Sequence, residues 1–207
     1  KLTEHQRYFV MANVVLLNSG GSNYTSLQSA FERLGASCVQ SSEQYDIERA
    51  SHIVLPGVGS ASSAMQAIHQ QNLAQQIIAL KKPLLGICLG MQILYDASDE
   101  SDVQCLGVIP GKINKLEIKP GMRIPHMGWN NILCTQPSAL LSGIETEDFY
   151  FVHSYAAAIS PYSIASCTHG NAFTAAVAYR NFYGVQFHPE RSGPQGQQLL
   201  ANFLSIR

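Results

Sequence analysis

Pro83-Leu84-Leu85-Gly86-Ile87-Cys88-Leu89-Gly90 is the stretch on which the reading of this chain turns. The apolar run after Pro83 reads as a short buried strand, and the residues beyond Cys88 read as the start of a helix. Between them, Gly86-Ile87-Cys88-Leu89-Gly90 has the G-x-C-x-G form of a nucleophile elbow, a sharp strand-to-helix turn that lifts one side chain above the carboxyl edge of a sheet. Glycines on either side remove the Cβ atoms that would clash in so tight a turn. A sulfur placed there sits at a helix N-terminus, where unpaired N–H groups favour thiolate over thiol. The N–H of Leu89, next in the chain, is placed to donate to a developing oxyanion.

Upstream of the elbow the same unit recurs. Asn13-Val14-Val15-Leu16-Leu17 is a β-branched, strand-like run that ends in the turn-rich Asn18-Ser19-Gly20-Gly21-Ser22-Asn23. A helix follows, with Leu27, Ala30, Phe31 and Leu34 on one face and Gly35 as its stop. Ile53-Val54-Leu55 leads into Pro56-Gly57-Val58-Gly59, then a helical stretch carrying Met65, Ile68, Ile77 and Leu80. Alternation of strand, glycine-rich loop and helix predicts a largely parallel central sheet with flanking helices. From about Val103 to Phe187 the pattern changes to short apolar strands separated by turns. Phe149-Tyr150-Phe151-Val152 and Thr174-Ala175-Ala176-Val177-Ala178-Tyr179 are examples, and Asn181-Phe182-Tyr183-Gly184 reads as a hairpin turn into Val185-Gln186-Phe187. A closing amphipathic helix bears Leu199, Leu200, Phe203 and Leu204. The expectation is a single α/β domain, flavodoxin-like, with an antiparallel portion in its second half.

Length and composition fit that reading. At 207 residues the chain holds one sizeable core, and 46% hydrophobic content is that of a globular domain. Its net charge of −1 shows no basic patch for nucleic acid, and no apolar run is long enough to span a membrane. Cys38, Cys88, Cys105, Cys134 and Cys167 are scattered, with no C-x-x-C pair, which argues against a metal site or a redox pair. With no signal-peptide pattern either, a reducing cytoplasm is the expected setting. KLTEHQRYFV, residues 1–10, lies upstream of Met11 and reads as a tag-derived or irregular extension, leaving residues 11–207 as the domain.

A cysteine nucleophile needs a base, and seven histidines compete for that role. His188 stands in Phe187-His188-Pro189-Glu190, directly after an apolar strand. In extended backbone residues two apart point the same way, so Glu190 is expected to meet the imidazole and hold its tautomer. His5, His52, His69 and His169 have no such partner pattern. A zinc deaminase also carries H-x-E, but the P-C-x-x-C that must follow is missing.

Gly86-Ile87-Cys88-Leu89-Gly90-Met91-Gln92 together with His188-Pro189-Glu190 resembles the class I (triad) glutamine amidotransferases, and Pro56-Gly57-Val58-Gly59 matches their third element. Within that family Pro56–Ser60, Pro125-His126-Met127-Gly128-Trp129-Asn130, Phe151-Val152-His153-Ser154-Tyr155 and His188-Pro189-Glu190-Arg191-Ser192-Gly193 resemble the glutaminase subunits of imidazole glycerol phosphate synthases. The resemblance runs from Met11 to the C-terminus. It implies hydrolysis of glutamine to glutamate, with ammonia passed to a cyclase subunit that is a (β/α)₈ barrel, in a heterodimer serving histidine biosynthesis. It implies no cofactor and no metal.

Carried over by position, Cys88, His188 and Glu190 are the catalytic triad. Leu89, Gly57, Val58 and Gly59 supply the oxyanion donors, and Gln92, Ser154 and Tyr155 hold the substrate's polar groups. His126, Trp129, Asn130 and His153 are expected at the interface or in gating, and the 56–59 loop is the element expected to respond to the partner. The first loop lacks the Asp-Tyr-Gly start common in the family, and Arg191 stands where Lys is frequent. Other class I glutaminases, of vitamin B6 synthesis or of the anthranilate or GMP type, are the near alternatives, and a thiol hydrolase of similar fold a more distant one.

Overall fold

The computed structural model describes residues 12–20, 24–117 and 119–207. The expected N-terminal extension, residues 1–10, lies outside them, as does the second half of the first loop, residues 21–23. Five parallel strands form one side of the main sheet. They are β1 (Asn13–Leu17), β2 (Ser37–Ser41), β3 (His52–Leu55), β4 (Leu84–Ile87) and, far along the chain, β14 (Phe182–Val185). The sheet continues antiparallel through β13 (Asn171–Tyr179), β12 (Ser163–His169) and β9 (Leu133–Cys134), giving the order β2-β1-β3-β4-β14-β13-β12-β9.

Strands covered on both faces read as unbroken apolar runs, and here successive residues split cleanly between two cores. Val14, Leu16, Val54, Leu85 and Ile87 pack with Leu27 and Phe31 of α1 (Tyr24–Arg33) and Leu199 and Phe203 of α6 (Gly193–Ser205). Val15, Leu17, Ile53, Leu55 and Leu84 pack with Met65, Ile68 and Ile77 on the other face. The helical stretch expected to hold these last three is two helices, α3 (Ala61–Gln70) and α4 (Leu73–Ile78), interrupted where Asn72 adopts a left-handed φ of 54°. Short α2 (Gln44–Arg49) precedes β3.

Two further small sheets complete the fold. One pairs β8 (His126–Asn131) with β10 (Asp148–His153), antiparallel. The other runs in the order β11-β7-β5-β6, built from β5 (Tyr95–Ser98), β6 (Val103–Gln104), β7 (Ile109–Lys115) and β11 (Tyr155–Ala157). The antiparallel second half is therefore shared among three sheets rather than appended to one. Two expectations shift slightly: β2 carries too few apolar residues to be seen as a strand, and the turn before β14 ends at Asn181, so that Phe182 to Gly184 already lie in the strand. No described helix is long and apolar enough to cross a membrane.

The topology matters for one reason. β4 and β14 are adjacent and parallel, with Gly184 opposite Gly86 and Val185 opposite Ile87. Cys88 and His188 therefore leave neighbouring strands at the same edge, the place where open α/β sheets present their sites.

Candidate active site

Cys88 sits at φ 53°, ψ −111°, outside the regions that residues with a Cβ favour, between β4 and the four-residue α5 (Leu89–Gln92). Such a conformation costs on the order of 1–3 kcal/mol and persists only when its surroundings impose it. Its backbone N–H is tied to Val185 O at 2.8 Å, and the turn is wedged against the loop after β3. A Cβ on Gly90 would lie 1.7 Å from Leu55 O, one on Gly86 2.7 Å from Gly90 O, and one on Gly57 2.6 Å from Gly90 N. The strained φ belongs to the cysteine itself; the glycines around it are there for close approach. Ser19 completes the support, its hydroxyl donating to Pro56 O at 2.5 Å.

His188 is buried, and its Nδ1 lies 2.9 Å from Glu190 Oε1. The contact forms, but not through the extended backbone the sequence suggested. Residues Pro189–Arg191 make a 3₁₀ turn that swings the glutamate back onto the ring. Ser192 clamps the same corner: its hydroxyl donates to His188 O at 2.6 Å and accepts from Tyr150 N–H at 3.0 Å. The other ring nitrogen, Nε2, is buried and is left to interact with Cys88. Burial alone would pull the imidazole pKa down. Cys88 and Glu190 outweigh it and push it up to about 10, so the ring is held as imidazolium.

A cleft of about 320 Å³ opens over the sulfur, lined among others by Val58, Gly59, Leu89, Gln92, Glu100 and Pro125. Val152, His153, Ser154, Tyr155 and His188 form its other side. Of the expected oxyanion residues, Leu89, Val58 and Gly59 face this cleft, whereas Gly57 lies beneath against Leu89 and Gly90. Gln92 spends both N–H bonds of its amide within the protein, on Tyr155 O at 2.8 Å and Gln186 Oε1 at 3.0 Å. What it has left for a ligand is an acceptor, Oε1.

The four expected interface or gating residues separate. Trp129 is 56% exposed on the outer face of β8, beside exposed Met127, and meets the Tyr150 ring edge-on at 6.3 Å. His126 and His153 are buried on the inner face, 3.0 Å apart, with Asn130 Nδ2 3.1 Å from His126 Nε2 and His153 Nδ1 2.9 Å from Tyr155 O. His126 also stacks between Phe151 and His169. Burial pushes His126 down to about 4 and His153 to about 3, so both rings stay neutral.

Four residues of the site escaped sequence reading: Ser19, Glu100, Gln186 and Ser192. Glu100 enters the cleft from a 3₁₀ turn and is anchored by its Oε2 accepting Ala61 N–H at 2.7 Å; no local pattern marks it. Gln186 had a signal, since it stands two residues before His188 and shares its face. Among the described residues no group of three His, Cys, Asp or Glu converges to hold a metal ion.

Comparison with known proteins agrees with this geometry. Residues 15–206 match the family model described as Glutamine amidotransferase class-I. Imidazole glycerol phosphate synthase subunit HisH 2 of Legionella pneumophila (strain Lens) is 45% identical over 194 residues, 93% of this chain and 98% of that relative. The HisH subunit of Xylella fastidiosa (strain Temecula1) is 44% identical over 197 residues, 95% and 98% of the two. Among solved structures, a putative GMP synthase protein from Thermoplasma acidophilum superposes with a TM-score of 0.71 at 18% identity, covering 95% of this chain and 94% of that one. PurLQS from Thermotoga maritima does so at 0.68 and 19%, covering 94% and 98%; both share the fold. With its elbow and its His-Glu pair inside the residues matched by one family model, the chain belongs to the class I glutamine amidotransferases.

Proposed function

We propose that this chain is the glutaminase subunit of an imidazole glycerol phosphate synthase, hydrolysing glutamine and handing the ammonia to a cyclase subunit built as a (β/α)₈ barrel. The identity of 44–45% with HisH subunits over nearly the whole chain carries this choice over other class I glutaminases. The GMP synthase and PurLQS neighbours share only 18–19% of residues. Five free cysteines fit a reducing cytoplasm.

Cys88 is the nucleophile. As thiolate it attacks the side-chain amide carbon of glutamine, and the new oxyanion takes hydrogen bonds from the Leu89 N–H and from an N–H of the 56–59 loop at Val58 or Gly59. His188 imidazolium gives its proton to the departing nitrogen, which leaves as ammonia, and a γ-glutamyl thioester remains. Water then attacks the thioester with His188 taking its proton, and collapse returns glutamate and the Cys88 thiolate. Glu190 holds the ring orientation throughout.

Gln92 Oε1 and the Glu100 carboxylate are the acceptors for the substrate's ammonium, and Ser154 and Tyr155 on the facing wall hold its carboxylate end. Trp129 and Met127 are the anchors the cyclase covers, and the 56–59 loop is what its binding adjusts. His126, Asn130 and His153 connect the two places.

The test is glutamate release from glutamine by the chain alone and with an imidazole glycerol phosphate synthase cyclase. Strong activation by that cyclase is expected. Full activity alone, or no response to the cyclase but activation by another synthase's acceptor subunit, contradicts the assignment.

A further inference from the structure

Gln186 is fully buried between β14 and His188, and its amide nitrogen lies 3.7 Å from the Cys88 sulfur. The sulfur is the acceptor that this nitrogen reaches among the described residues. A buried amide donor without an acceptor is costly, so the contact is part of how the residue is tolerated there.

The direction in which the amide points is dictated by its neighbours. Tyr155 O can only accept, so the group Gln92 turns toward it must be the NH₂. The second hydrogen of that same nitrogen goes to Gln186, which must therefore answer with its oxygen. With Oε1 committed, the Gln186 NH₂ faces Cys88. The polarity extends further out. Tyr155 O also receives His153 Nδ1, which fixes a neutral ring with Nε2 as acceptor. His126 then donates from Nδ1 and accepts from Asn130 at Nε2. Asn130 itself donates to Thr168 O and accepts Asn131 N–H. Each link has one allowed direction, and the chain ends in an N–H aimed at sulfur.

We propose that Gln186 is the hydrogen-bond donor that holds Cys88 as a thiolate and fixes where its sulfur points. This rests on Cys88 being the nucleophile. The groups around the sulfur divide by the form they favour. Val152 O, 3.8 Å away, takes a thiol proton but repels a thiolate. The Gln186 N–H gains strength when the sulfur becomes anionic, more so in a dry site. His188 attracts the anion by charge, and Gln186 adds a directional bond.

The test is the rate at which iodoacetamide alkylates Cys88 in the full chain, followed by peptide mass spectrometry from about pH 6 to about pH 10. Cys38, Cys105 and Cys167 are internal controls, since burial pushes their thiols up to about 12, 11 and 12. Gln186→Met keeps the size and removes the donor. Its alkylation rate should rise about one pH unit later than that of wild type, so that on the rising limb it reacts about tenfold more slowly, the effect of taking one hydrogen bond from a charged group. At the alkaline end the two rates should converge. Gln186→Glu keeps the shape and adds a like charge, so it should fall further behind at neutral pH; it decides the matter if the methionine variant does not fold.

A variant profile that overlays wild type overturns the proposal, and so does a rate lowered equally at every pH, the mark of a merely structural role. If instead wild-type Cys88 reacts no faster than half-exposed Cys134 near neutral pH, it is the nucleophile assignment that fails.

Discussion

Acidification should destabilise this protein through His153, by an amount that can be worked out in advance. His153 is buried, and its two nitrogens are committed to Tyr155 O and to His126. Burial, the largest influence, pushes its pKa down to about 3; the nearby His126, His169 and His188 add to this, against the Tyr155 carbonyl. An unfolded histidine titrates near 6.5. Below that pH protons bind the unfolded chain and not the folded one, so stability is lost as pH falls from about 6.5 toward 3. Between about pH 7.5 and about pH 5.5 an unfolded histidine goes from about one-tenth to about nine-tenths protonated, a loss of about 1.4 kcal/mol.

His126 acts in the same direction. His188 acts oppositely. Its raised pKa makes a contribution that is complete below 6.5 and fades as pH rises toward 10, so acidification over this range restores a similar amount. The wild-type trend is thus a difference, and a variant isolates the part due to His153. His153→Gln can still offer an acceptor to His126 and a donor to Tyr155 O, yet has nothing to titrate. Thermal melts followed by circular dichroism at the two pH values should show wild type losing about 3–6 °C more than His153→Gln, at about 2–4 °C per kcal/mol for a chain this size. Equal pH dependence in the two proteins would refute the buried neutral histidine pair.

Other substitutions probe the elbow and its supports. Gly90→Ala puts a Cβ 1.7 Å from Leu55 O, so soluble yield should collapse, with a cost above about 4 kcal/mol; a normal melt would show that the loop and elbow do not interlock. Ser192→Ala strips His188 O and Tyr150 N–H of their shared partner, and should lower stability by about 2 kcal/mol, or about 4–8 °C. Glu190→Gln removes one of the groups that raise the His188 pKa and should cut partner-activated kcat by about 10³- to 10⁴-fold; retention of kcat would remove Glu190 from the triad.

Local chemistry was legible in the sequence where it is written in adjacent residues. β1, β3 and β4 showed as apolar runs because they are covered on both faces, and the elbow showed because the close approach of chain around Cys88 demands glycines beside it. What was not legible depends on residues brought together across the fold. Glu100 reaches the cleft from a 3₁₀ turn, and Ser192 matters only because Tyr150 lies over it. The His188–Glu190 contact was expected for a reason the backbone does not follow: proline starts a 3₁₀ turn, and that turn, not a strand, brings the carboxylate round. His126 and His153 were grouped with Trp129 by motif, yet β8 alternates, turning the histidine inward and the tryptophan out.

The central claim is that Cys88 carries the glutamyl group during turnover. It is tested most directly by quenching the chain in acid while it hydrolyses glutamine with its cyclase partner present, then reading the mass of the peptide that contains Cys88. A γ-glutamyl adduct on that peptide, lost in Cys88→Ala together with glutamate release, is the predicted result. Continued glutamate release by Cys88→Ala, or turnover with the adduct on another residue, would contradict it.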